Sequence, residues 1–303
     1  MLKPRSSTAA LPYLALGSGI LCLSFSAFFV RWSQVAGPVA AFYRMLFASL
    51  LLTPLALPRL LARPNRLGRR WAFFPIVGGI FSALDFTFWS IAVTLTTAAN
   101  ATLLGNASPL WVALFALLVF REKLGRLFWL GLGLTLSGAV LVVGSDFLLH
   151  PAFGTGDSFA LISSLFYAGV FLAMQRGRET LDPLTYTWIA VCTTTLGLFL
   201  VNLALNNPLT GYPPLTWLIF LASAVFSQIL GYLSMSYALG HLPASVVSPT
   251  MIGQPVLTTL LAIPLLAEIP TTWQAAGGAL VLAGIYLIHQ AYNRQKAQSA
   301  AGP

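Results

Sequence analysis

Residues 108–138, SPLWVALFALLVFREKLGRLFWLGLGLTLSG, return in altered form at 254–284 as QPVLTTLLAIPLLAEIPTTWQAAGGALVLAG. A constant offset of 146 aligns Pro109 with Pro255, Glu122 with Glu268, Gly131 with Gly277 and Gly138 with Gly284. The match runs back without a gap to Ser90 beside Ser236 and Ala92 beside Ala238. Self-similarity held at one offset over about fifty residues marks an internal duplication. Nearer the N-terminus the halves agree loosely, mainly through Gly37-Pro38 beside Asp182-Pro183 at an offset of 145.

Both quoted stretches are apolar, and so is most of the chain. Of 303 residues, 57% are hydrophobic and 8% charged, against roughly 25% charged in an average soluble domain. That composition excludes a soluble globular protein. A hydrocarbon core of about 30 Å needs about 20 apolar residues per helix, and lipid offers the backbone no partners, so the spans must satisfy their own hydrogen bonds. Uncharged apolar windows bounded by Pro, Gly or charge number ten, near 11–32, 38–60, 71–92, 96–120, 126–144, 156–175, 183–205, 214–238, 243–266 and 272–291. The fold class is therefore all-α and membrane-integral, with ten transmembrane helices. The first window follows Lys3 and Arg5 as a secretory signal would, but a signal's apolar region is only about 7–15 residues long, so it reads as a retained helix. Cys22 and Cys192 lie far apart in apolar runs and imply neither a disulfide framework nor a zinc site.

The formal charge of +9 is explained by where the cations fall. Cytoplasmic loops collect Lys and Arg. With the N-terminus inside, fourteen of the sixteen cations face inward: Lys3 and Arg5, Arg59 to Arg70, Arg121, Lys123 and Arg126, Arg176 and Arg178, and Arg294 and Lys296. Only Arg31 faces outward, and Arg44 lies within a span. The basic character is topological and calls for no nucleic acid. Trp32, Trp71, Trp89, Trp129, Trp217 and Trp273 fall near span ends, as interfacial anchors do, whereas Trp111 and Trp188 lie deeper.

Each copy holds five spans, and an odd number forces the second copy to enter the membrane from the opposite side. The charges agree. Arg121, Lys123 and Arg126 become Ala267, Ile269 and Thr272 in the repeat, and the Arg59–Arg70 loop corresponds to the charge-free Asn206–Pro213. This gives a first five-helix repeat at 1–145, a periplasmic linker at 146–156, a second, inverted five-helix repeat at 157–292 and a cytoplasmic tail at 293–303. Inverted repeats are the architecture of secondary transporters, in which the halves exchange conformations to give alternating access.

Ten spans in two five-helix copies, with Pro109, Arg121-Glu122-Lys123-Leu124, Gly131 and Gly138 closing one and Pro255, Glu268, Gly277 and Gly284 the other, resemble the EamA-type carriers of the drug/metabolite transporter superfamily. Within that family the chain is most similar to the YddG-type aromatic amino acid exporters. The resemblance implies efflux of amino acids or metabolites across a bacterial inner membrane, with both termini cytoplasmic and a central cavity between the copies.

Prolines in an apolar helix remove a backbone hydrogen bond and bend it. Pro109, Pro249 and Pro255 are the expected kinks or hinges, and freed carbonyls are tolerated where they face protein or a wet cavity. Around them cluster Asn100, Thr102, Asn106 and Ser108, and in the second copy Ser245, Ser248, Thr250, Gln254 and Thr258. Thr102 with Asn106, and Gln254 with Thr258, are i,i+4 pairs on one face. Two readings fit: interhelical hydrogen bonds that hold the bundle, or the lining of a substrate cavity, favoured for Asn106 and Gln254 beside the kinks. Trp111, Tyr167, Trp188 and Tyr232 are candidates to stack on an aromatic or cationic substrate, with bundle packing the alternative.

An ionisable group costs about 2.5–3.5 kcal/mol at the bilayer centre even on the lenient scale, so each needs a partner. Arg44 and Asp85 fall in neighbouring spans at about the same depth below the outer surface and are expected to pair, either as a static strut or, for Asp85, as a proton-coupling carboxylate. Gly231 is the repeat partner of Asp85, which weakens the coupling reading. Glu122 and Glu268 are expected to cap the following helix or pair with Arg121 or Lys123, and His241 and His289 to lie at span ends. The glycines at 131, 133, 138, 277, 278 and 284 form faces for close helix approach.

An intramembrane enzyme would need a nucleophile with its base, a carboxylate dyad or a metal cluster inside the spans. No GxSxG or HExxH occurs, and the loops are too short for a receptor's extra domain. The expected ligands are a small-molecule substrate and membrane lipids, with no cofactor and no metal. An exporter of drug-like or cationic compounds stays open beside the amino acid reading, as do monomer and homodimer.

Overall fold

The computed structural model describes residues 10–62, 71–96, 98–143, 154–267 and 269–300. The run at 63–70, Glu268, and all but the last few residues of the 146–156 linker lie outside them. The helices, in chain order, are α1 (Leu11–Ser24), α2 (Ser26–Ser33), α3 (Gly37–Leu61), α4 (Phe73–Leu95), α5 (Ala98–Gly105), α6 (Ser108–Leu118), α7 (Arg126–Val143), α8 (Thr155–Gly177), α9 (Pro183–Ala204), α10 (Pro214–Ser223), α11 (Tyr232–Leu239), α12 (Ala244–Thr250), α13 (Gly253–Leu266) and α14 (Thr272–Ala300), with a π-helical segment, Ala224–Gly231, joining α10 to α11. Among the described residues nine spans are long and apolar enough to cross a membrane, and Arg126–Val142 is a shorter tenth. The ten coincide with the ten windows, five in each copy.

Burial is arranged for lipid. Leu14, Leu61, Leu118, Leu130 and Leu215 are each more than 60% exposed, while Thr135, Ser164, Asn202 and Ser236 are fully covered. With no hydrophobic drive between helices in a bilayer, small and polar residues can be buried among the apolar ones, as they are here, while the outer faces carry exposed leucines.

The helices form two compact units. One comprises Met1–Ala83 and Leu172–Pro243, the other Leu84–Phe171 and Ala244–Pro303, so each unit draws on both copies.

In the first unit α3 packs along its repeat counterpart α9. Asn202 Nδ2 donates to the Pro38 carbonyl at 3.0 Å, the Phe42 and Phe199 rings meet at 5.8 Å, and Trp188 Nε1 donates to Thr53 Oγ1 at 2.9 Å. As the number on α3 rises from 38 to 53, its partner's falls from 202 to 188, so the helices run antiparallel. In the second unit α7 packs along its counterpart α14, with Gly131 against Gly284 and Gly138 against Gly277. That pair is antiparallel too. In both units, therefore, a helix of the first copy runs opposite to its equivalent in the second, and this is the inversion that an odd span count demands. Around the α7–α14 seam the second unit buries Ala113, Phe128, Leu132, Val246 and Ile288 at one level and Ala139, Val142, Ile252, Val256 and Val281 at another.

Two helix ends repeat in detail. Arg121 and Ala267, equivalent at the offset of 146, both hold the left-handed backbone conformation with φ 54°; Ala267 is the C-cap of α13, and Arg121 lies three residues past the end of α6. Side chains pay a steric cost there that glycine avoids. Glu122 accepts a hydrogen bond from Ser245 Oγ at 2.7 Å, tying its loop to α12.

Candidate functional site

Spans 4 and 9 are broken at equivalent places. Asn106 and Ala107 interrupt the first between α5 and α6, and Met251 and Ile252 the second between α12 and α13. Pro109 and Pro255 fall in the first turn of the new half-helix, where a missing N–H is tolerated. Each break is drawn in by short i→i−3 bonds: Ala107 N to the Leu104 carbonyl at 3.1 Å, Ile252 N to that of Pro249 at 3.1 Å, and Gln254 N to that of Met251 at 2.9 Å. The prolines thus start half-helices, and the turns before them carry the bend. Pro249 lies inside α12 and is buried.

The second unit gathers most of the predicted polar and aromatic candidates. At its centre two consecutive serines of α8 hold one side chain each from α4 and α6. Ser163 Oγ donates to Asp85 Oδ1 at 2.5 Å, and Trp111 Nε1 donates to Ser164 Oγ at 2.9 Å. Both serines are buried, whereas Asp85 and Trp111 keep part of their surface open. Asp85 is the thirteenth of the 23 residues of α4. That helix runs three residues beyond its apolar window, so Asp85 lies nearer the middle of its span than the window placed it. Phe88, one turn on, stacks between Phe159 and Phe166 of α8 at 5.8 and 5.5 Å, fixing the face of α4 that carries Asp85. Tyr167 is one turn from Ser163 and meets the buried Phe171 at 4.8 Å.

The other candidates separate by environment. Thr102, Asn106, Gln254 and Thr258 are partly exposed, while Ser108 and Ser248 are buried. Asn100 is also buried. Its Nδ2 lies 3.5 Å from Thr96 Oγ1, which donates to Asp157 Oδ1 at 2.8 Å, and Asp157 accepts the Gly154 N–H at 2.8 Å. Asn100 thus belongs to the network that starts α8. His289, expected at a span end, lies well inside α14 and meets Thr250 Oγ1 at 2.9 Å. Among the described residues no group of three His, Cys, Asp or Glu could hold a metal ion.

Trp188, Tyr232 and Arg44 belong to the first unit. The Trp188 N–H bonds Thr53, as above. Tyr232 is buried at the end of the π-helical segment, and Arg44 Nη1 donates to Ser26 Oγ at 2.7 Å. In the π-helical segment Gln228 is 2% exposed. Such wide turns are concentrated at functional sites.

Outside the spans the loop after α8 is held by charge. Arg178 donates through Nε to the Ser236 carbonyl at 2.8 Å and through Nη1 to the Leu181 carbonyl. Burial lowers its guanidinium pKa, against the opposing pull of Asp182 and Tyr237. Asp182 caps α9, accepting from the Leu184 and Thr185 amides at 3.1 and 3.2 Å and from Thr185 Oγ1 at 2.7 Å. Burial alone would raise its pKa, but these hydrogen bonds and the charge of Arg59 hold the carboxyl below its usual value.

Ser163, Ser164 and Thr53 carry polar contacts that the sequence reading passed over. Two adjacent hydroxyls in the middle of an apolar window were the available signal.

Duplicated membrane helices, repeat counterparts packed antiparallel and mid-membrane breaks at equivalent prolines define a membrane transporter. The EamA-like transporter family matches residues 11–144 and again 154–290, and the chain belongs to that family. A relative from Archaeoglobus fulgidus described as an uncharacterized transporter is 29% identical over 255 residues, covering 82% of this chain and 86% of that protein. The pseudopaline exporter CntI of Pseudomonas aeruginosa is 25% identical over 210 residues, covering 68% and 71%. A solved crystal structure at 19% identity superposes with a TM-score of 0.78 over 96% of this chain and 99% of its own, which shows the shared fold.

Proposed function

We propose that this protein is a secondary transporter that exports small metabolites, aromatic amino acids foremost, across a bacterial inner membrane by alternating access. The observation that carries the reading is the antiparallel pairing of repeat counterparts, α3 with α9 and α7 with α14, because inverted copies are what allow one sequence two states related by exchanging the conformations of its halves. A relative named as an exporter supports the direction. The aromatic preference rests on Trp111 and Tyr167 beside polar side chains in the second unit, and on the family resemblance. The inward-facing cations support cytoplasmic termini. Export of cationic compounds is the second reading, favoured by the mid-span carboxylate of Asp85.

Liposomes loaded with labelled phenylalanine test the proposal. Protein-dependent efflux, inhibited by tyrosine and tryptophan more than by alanine, is expected. Efflux inhibited equally by aliphatic analogues would remove the aromatic preference, and label retained in protein-containing vesicles would remove the amino acid. Labelling of single cysteines from either side checks the topology, with a tag at residue 295 accessible only from the cytoplasm.

A further inference from the structure

We infer that the π-helical segment Ala224–Gly231 is a moving joint, whose turns wind to α-helix and back as the protein changes state. The inference goes beyond the function proposed above, and only its link to export rests on that reading.

The repeat supplies the contrast. At the offset of 146, Ala224–Gly231 corresponds to Gly78–Asp85, which lies in α4, an α-helix without interruption from Phe73 to Leu95. A span at this place in the fold therefore crosses without wide turns. The first copy is held in its winding by close backbone contact. Thr194 Oγ1 donates to the Gly79 carbonyl at 3.0 Å, and a β-carbon on Gly79 would stand 2.5 Å from the Ala190 carbonyl oxygen. Ala224 and Val225 replace the glycine pair in the second copy, so that approach is closed to span 8. Between Asp182-Pro183, matched at 145, and Ser236, matched at 146, the second copy also gains one residue. A π turn, bonded i→i+5, is how a helix holds one residue more.

Both flanks of the segment are gripped, each by a different helix. On the α11 side, a β-carbon on Gly231 would stand 2.9 Å from Leu23 Cγ of α1. On the α10 side, Trp217 and Phe220 meet Tyr43 of α3 at 4.8 and 5.0 Å. Any movement of α10 relative to α11 is taken up between them. On an α-helix one residue of winding amounts to about 100° of rotation and about 1.5 Å of rise.

The interior of the segment is costly as it stands. Gln228 is 2% exposed, and its Oε1 has no hydrogen-bond partner among the described residues. The neighbouring Ser227 is fully covered and reaches only the Cys22 carbonyl, at 3.4 Å. A buried acceptor without a donor forfeits its hydration uncompensated, and native structures keep few such groups. An apolar side chain of similar size would fill a static position without that penalty. A rare winding around an unpaired buried amide is thus a state of raised free energy, which a modest bias exchanges for another.

The test uses the full-length protein in liposomes, carrying Cys22→Ala and Cys192→Ala and one of two introduced cysteine pairs. Phe226→Cys with Ile229→Cys sets thiols three residues apart, neighbours on an α-helix. Val225→Cys with Leu230→Cys sets them five apart, neighbours on a π turn. All four native side chains keep part of their surface open, so replacement leaves the core intact. Dibromobimane, a membrane-permeant bifunctional thiol reagent, bridges whichever pair meets. Both pairs are expected to link, and either link to stop the efflux of labelled phenylalanine that the unlinked protein shows. Linkage of fewer than both pairs means a single winding and overturns the joint, as does full efflux from linked protein. If a cysteine variant is not monodisperse, Gln228→Met reads the same claim. It removes the unpaired acceptor, so a raised melting temperature with slowed efflux is expected, and an unchanged or lowered melting temperature overturns the joint. A parent protein that exports no phenylalanine, with both pairs linking, upholds the joint and overturns only the amino acid reading.

Discussion

A β-carbon on Gly284 would stand 2.5 Å from the Gly131 carbonyl oxygen, and one on Gly131 would stand 2.8 Å from that of Gly284. The same mutual approach joins Gly138 to Gly277, at 2.6 and 2.7 Å. Since Gly131 corresponds to Gly277 and Gly138 to Gly284, each contact is the repeat image of the other, as a two-fold related interface requires. Gly284→Ala should therefore destabilise the protein by about 1–3 kcal/mol through overpacking. Gly133→Ala, on the same helix with nothing within 4 Å, should be neutral to stabilising, by up to about 1 kcal/mol. Thermal melts in one detergent compare the two, and equal melting temperatures would refute the seam.

Ala267 ends its span in the left-handed region with φ 54°. Glycine takes that conformation without the clash a β-carbon meets, so Ala267→Gly should stabilise the protein by about 1 kcal/mol. A lowered melting temperature would contradict this.

The Trp188–Thr53 bond joins repeat counterparts at 2.9 Å. Hydrogen bonds between membrane helices average about 0.6 kcal/mol in double-mutant cycles. A cycle of Trp188→Phe and Thr53→Val should give a coupling of that order, and transport should survive both changes. Abolished transport with stability intact would instead place Trp188 on the substrate path.

Asp182 caps α9, and losing an N-cap costs about 0.5–2 kcal/mol. Its folded pKa is lowered, so the stability it adds is present above the unfolded value of about 3.9 and is lost as pH falls through the folded value. Asp182→Ala should thus be less stable than the parent at neutral pH, with the gap narrowing below about pH 4. A gap that widens in acid would rule out this sign.

Gln254 and Asn106 are partly exposed beside the two breaks. Gln254→Ala is expected to alter transport rate or substrate preference while leaving folded yield intact, and vesicle efflux normalised to protein content reads it.

Several features of the fold are legible in the sequence itself. Pro109 and Pro255 announced the breaks in spans 4 and 9, because a residue without an N–H removes a helical hydrogen bond and is best placed in a helix's first turn, although Pro54 and Pro58 lie inside an unbroken α3. The glycines of α7 and α14 announced a close seam, since their spacing repeats at the same offset as the prolines. Ser163 and Ser164 did not announce their roles. A serine in an apolar helix can bond back to its own turn, as Ser164 does to the Leu161 carbonyl at 2.7 Å, and nothing local says that Asp85 and Trp111 will arrive from elsewhere. The π-helical turns at Ala224–Gly231 were equally silent, for no proline or glycine pair marks their start.

Chain order alone decided the number of spans, their duplication and the opposed sense of the copies, because each follows from counting apolar residues against a membrane's thickness. Only the three-dimensional packing decided that α3 and α9 belong to one unit and α7 and α14 to the other, and that two serines of α8 anchor an acid and an indole. In lipid a helix is apolar on every side, so hydropathy says that it crosses and is blind to which face meets which neighbour.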